Sequence, residues 1–119
     1  MKGLVRNLVQ LWPQANGSVE VPTGDAACLE VGGVDVIVVS VREQAFGLEL
    51  FTAFGLDPAA RRLLVLKSAN HFRAAYDRIA QDVLYVEAPG ALPGDPRRVT
   101  YTRMATDKFP WVDDPLAGD

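Results

Sequence analysis

The stretch LEVGGVDVIVVSV, residues 29 to 41, constrains the fold more than any other part of the chain. Gly32-Gly33 can take the positive backbone angles of a tight two-residue connection, and strand-forming residues stand on either side, so the pattern predicts a hairpin. Val34 to Val41 is the strongest strand signal in the sequence. Its unbroken apolar centre, Val36 to Val39, predicts that both faces are covered and places it centrally in a sheet.

Downstream, helical and strand-like patterns alternate. Leu48, Leu50, Phe51 and Phe54 recur at helical spacing within 47–54, with Gly55 placed to end that helix. Asp57 and Pro58 open a second, short helix as N-cap and first helical residue. There follow a strand over 63–67, a helix over 71–81 that buries Phe72, Ala75, Tyr76 and Ile79, and a strand over 83–87 stopped by Ala88-Pro89-Gly90. Val36, Val38, Leu64 and Leu66 are expected opposite that helix. Upstream, 4–12 reads as a strand or a short helix, and Pro22 with Gly24 splits 18–31 into two short strands.

This order predicts an α/β fold: a mixed sheet with a β-hairpin and βαβ-type crossovers, helices packed on the sheet, and an extended C-terminal tail. The tail, from Pro93 onward, is expected to be pinned by Tyr101, Phe109 and Trp111. With 119 residues, the whole span 1–119 is expected to form a single domain that removes about two-thirds of its unfolded surface from water.

The net charge of -3 gives no basis for gripping a phosphate backbone, so nucleic acid is not an expected partner. No apolar run approaches the length of about 20 residues that crosses a bilayer, and Arg6 and Asn7 interrupt the first apolar stretch, which makes a poor secretory signal. The one cysteine, Cys28, cannot form an intramolecular disulfide and fits a reducing, cytoplasmic compartment.

Polar chemistry concentrates at two strand ends. Lys67, Ser68, Asn70, His71 and Arg73 crowd the junction of the 63–67 strand with the following helix, and Ser40-Val41-Arg42-Glu43-Gln44 ends the central strand. If the two strands are parallel neighbours, Arg42, Gln44, Lys67, Ser68, His71 and Arg73 line one pocket at the carboxyl edge of the sheet. There a helix N-terminus and the cations would favour a small anionic ligand. The competing reading is structural: Ser68 and Asn70 as helix caps, the cations solvated or paired with Asp77 and neighbouring acids. His71 is the only histidine and no thiolate pair exists, so the chain has no expected metal site. No GxSxG elbow exposes Ser68, and no catalytic residue is assigned.

The order of VDVIVVSVREQAF, FTAFGLDPA, LLVLKSANHFRAAYDRIA and VEAPG resembles the C-terminal domain of the MlrC (microcystinase C) family of metallopeptidases. SVREQ at 40–44 stands for the family's "TSRRQQ"-like strand end, GLDP at 55–58 for its "GIDP" turn, and LKSANHFRAAY at 66–76 for its "VKSSxHFRAAF" block. The likeness covers residues 25–90. Val41 and Glu43 depart from it, and Asp114-Pro115-Leu116 approximates the family's final proline-leucine-aspartate pattern.

The resemblance implies a module without its own cofactor, because in the family a longer N-terminal domain supplies the histidine and acidic ligands for zinc-dependent hydrolysis of peptide-like substrates. Two readings stay open. In one, the chain is a non-catalytic module that completes a substrate or partner site on a metal-binding MlrC-type N-terminal domain or separate chain. In the other, it is a free-standing small hydrolase, or a binder of anionic small ligands, using Lys67, Ser68, His71 and Arg73. Convergence of Lys67, Ser68 and His71 would favour the enzyme.

Overall fold

Alternation along residues 3–14 sends Leu8, Gln10 and Trp12 to one side, as a strand with one covered face requires. This is β1 (Gly3–Gln14), which turns through Ala15 and Asn16 into β2 (Gly17–Val31), and the Gly32-Gly33 turn leads into β3 (Val34–Val39). Both glycines have positive φ, 56° and 82°, which gives the expected hairpin its tight turn. The computed structural model describes residues 1–88 and 93–114. Its three strands form an antiparallel sheet in the order β1-β2-β3.

That sheet corrects the α/β expectation. β2 runs unbroken through Pro22 and Gly24, because the β3 ladder begins only at Ala26 and leaves Pro22 where no N–H is demanded on that side. Gly24, at φ 70°, lies against Ser40 and Val41 where a side chain would collide. β3 is an edge strand, with Val36 and Val38 exposed rather than packed on a helix. Continuity of apolar residues reported strand propensity and misled about burial.

No crossover units form among the described residues. The expected strand over 63–67 is not formed: no backbone hydrogen bond joins it to another described residue, and 83–87 is likewise outside any sheet. The expected helices shrink to single turns, α1 (Glu49–Thr52) and α2 (Arg73–Tyr76), neither with a side-chain cap at its N-terminus. Asp57 does cap the Pro58–Ala60 segment, accepting from the Ala59 amide at 2.9 Å, but the segment is a 3-10 turn.

The chain divides into two units, Met1–Val83 and Leu84–Asp119. In the first, Ala45, Phe72, Ala75 and Tyr76 form a buried cluster, with Leu64, Leu66 and Ile79 packed against it, as the helical spacing anticipated. Cys28 is fully buried in β2. Lys2 and Arg61 both pair with Asp35, at 2.6 and 3.1 Å, tying the chain start and the post-turn segment to β3. In the second unit, Asp95 caps the Pro96–Arg98 turn, Arg98 pairs with Glu87 at 2.7 Å, and Tyr101 stacks edge-on against Trp111. Phe109, expected to pin the tail, is exposed. Pro89, Gly90, Pro115 and Leu116, read above as stop and tail signals, lie outside the described residues. Among those described, no helix is long and apolar enough to cross a membrane.

Candidate functional site

The irregular segment 44–47 has no ladder to satisfy its backbone, yet Ala45, Phe46 and Gly47 are buried, so side chains must supply the partners. Gln10, fully buried in β1, does most of this. Its carboxamide oxygen accepts from the Phe46 and Gly47 amides at 2.8 and 3.2 Å, and its nitrogen donates to the Gln44 carbonyl at 2.9 Å. Tyr76 donates its hydroxyl to the Gly47 carbonyl at 2.8 Å. Gly47 is obligatory here, since a β-carbon would stand 2.6 Å from the Leu11 carbonyl.

Held in this way, Gln44 projects a side chain that organises the polar junction. Its oxygen accepts from Ser68 Oγ at 3.1 Å and from the Ala69 amide at 3.1 Å, and lies 3.3 Å from His71 Nδ1. The Ala69 amide can only donate, which fixes the carboxamide oxygen on this side. Toward that oxygen Nδ1 acts as a donor, and in the neutral ring the lone pair then falls on Nε2. Trp12 meets the His71 ring edge-on with centroids 4.8 Å apart, and Phe46 lies at 5.2 Å, so the ring is clamped on two sides. His71 is nonetheless exposed, on an open groove of about 500 Å³ that Trp12, Pro13, Asn70, Ala74 and Arg78 also line.

Of the six residues singled out in the sequence, three converge: Gln44, Ser68 and His71. Arg42 and Lys67 are exposed and bond to no described residue, and Arg73 pairs with Asp77 at 2.8 Å. Ser68 is no helix cap. Its hydroxyl lies between Gln44 Oε1 and the Ala45 carbonyl, 3.2 Å away, instead of facing an imidazole. The short α2 carries little of the dipole that the anion-pocket reading relied on. Trp12, Phe46 and Gln10 were not singled out. The available signal was Gln10 itself, a polar residue at an inward position of an apolar strand.

Zinc, which the resemblance associates with these proteins, does not fit the described residues. No three histidine, cysteine or carboxylate side chains cluster among them, and Cys28 is buried in the sheet while His71 stands at the groove.

The chain belongs to the family described as MlrC C-terminus, which it matches over residues 1–103, a span that takes in the antiparallel sheet and the KSANHFRAAY block at its rim. Microcystinase C from Sphingomonas sp is a relative, 33% identical over 84 residues that cover 71% of this chain. Those residues amount to 16% of the relative's length.

Proposed function

We propose that the chain acts as a non-catalytic C-terminal module of an MlrC-type zinc metallopeptidase or hydrolase. It completes a substrate or partner site on a metal-binding domain that lies elsewhere in sequence, in the same longer chain or in another. The observation that carries this reading is His71, held with Nδ1 toward Gln44 and clamped by Trp12, so that its Nε2 edge is left for a group that the described residues do not provide. Preorganisation of this kind serves a bound group better than a solvated side chain would.

The contacts among the described residues favour a module over an independent hydrolase. Ser68 and His71 both spend their near contacts on Gln44 and not on each other, and Lys67 bonds to neither. The small share of Microcystinase C that the chain covers also supports a part rather than a whole. A reducing cytoplasm suits the single buried thiol.

The test is complementation: this chain combined with the remainder of Microcystinase C, freed of its own matching segment, and assayed for peptide hydrolysis. His71→Ala and Gln44→Leu are each expected to lower kcat/KM at least about tenfold with the complex intact, since losing a positioned hydrogen bond to a bound group costs about 1–3 kcal/mol. Equal activity of the variants and wild type in that complex would remove His71 from the site.

A further inference from the structure

The segment from Leu63 to Lys67 has one face covered and one bare. Leu64 and Leu66 pack on the Phe72–Tyr76 cluster, while Leu63 and Val65 are 78% and 85% exposed. The alternation is that of a strand, so its own core already fixes which face looks outward. Its backbone groups are left without partners among the described residues. An apolar segment with strand-like alternation and backbone groups in that state can pair with another chain.

Charge narrows the occupant. Arg62 and Lys67 bracket the apolar run, and neither has an ionic partner among the described residues. Two copies of this segment paired antiparallel would set Arg62 against Lys67, and paired in parallel would set each against itself, so self-pairing through it is repelled. This chain itself holds an acid-ended apolar stretch, Asp82 to Glu87, which a second copy would bring. Glu87, however, is already engaged by Arg98 and by the Gly94 amide.

We infer that Leu63–Lys67 is a docking edge for one extended apolar segment with acidic residues at its ends. That segment is contributed by the metal-binding partner and added to this chain by backbone pairing. The inference rests on the module reading above for the partner's identity, and on the bare edge and its flanking cations for the partner's chemistry. It places the partner on the chain segment that leads directly into Ser68 and His71.

Amide hydrogen exchange on the full chain tests it, with a short synthetic peptide of β-branched residues ended by glutamates as probe and a lysine-ended peptide as control. In the free chain the amides of 63–67 should exchange almost unprotected. The glutamate-ended peptide should slow alternate amides of the segment at least about tenfold, and the control should not, with the preference inverted in the Arg62→Glu, Lys67→Glu double variant. Protection already present without peptide overturns the inference, because the edge is then filled by the chain itself. Protection that rises with protein concentration assigns the edge to a second copy and overturns it as well, as does a lack of protection with either peptide. The module reading is judged separately: complementation that depends on His71 without peptide docking would sink the strand edge alone, and docking without complementation would sink the module.

Discussion

Gln10 occupies an inward position between Leu8 and Trp12, where strand alternation calls for an apolar side chain, and it is fully buried. Such a residue persists only when every polar atom finds a partner, and here those partners are the otherwise orphaned amides of Phe46 and Gly47 and the Gln44 carbonyl. Tyr76 completes the same hub, and its burial, with the nearby charge of Glu49, raises its hydroxyl pKa far above the ordinary value. Folding therefore favours the protonated phenol. That contribution is whole below the unfolded-state value near pH 10 and is lost as pH climbs from there toward the folded value. Tyr76→Phe should cost about 1–3 kcal/mol at neutral pH, through the unsatisfied Gly47 carbonyl, and should flatten the decline of stability above pH ~10. Urea melts across that range decide it, and parallel curves for the two proteins would count against the hub. Of these site residues, Gln44, Ser68 and His71 could be picked out from local sequence, because polar residues gathered beside a strand end are a local signal. For Trp12 and Phe46 no local signal existed, and for Gln10 only its polarity inside an apolar strand, since their partners are far off in sequence, Gln10 and Phe46 being 36 apart.

Among the elements, the hairpin was legible because two adjacent glycines with positive φ allow little else. The neighbourhood of each strand was not. Val36 and Val38 were expected in a core and lie exposed on an edge, and 63–67 was expected inside a sheet and lies outside one. Apolar continuity says that a segment suits burial, without saying which polypeptide covers it. The spacing of Phe72, Ala75, Tyr76 and Ile79 did identify the packed face correctly, although the helix itself closes after one turn. Phe72→Ala should accordingly cost about 3–5 kcal/mol in denaturant melts, a large share of what holds a small domain together. A loss below about 1 kcal/mol would mean that the cluster around Ala45 is not the core of the first unit.

At the scale of the molecule, the family follows from the 1–103 match, and the chemistry proposed for it depends on a partner. The purified chain is expected to hold no stoichiometric zinc, because its imidazole and its buried thiol sit in separate parts of the fold. Elemental analysis finding a full equivalent that disappears in His71→Ala would contradict this. The central proposal, that the site is finished by a metal-binding domain elsewhere in sequence, is tested most directly by one measurement. Peptide hydrolysis in the presence of zinc is followed for the chain alone and for the chain combined with the remainder of Microcystinase C. The account predicts no turnover above background alone and zinc-dependent turnover in combination; turnover by the chain alone that disappears in Ser68→Ala would contradict it.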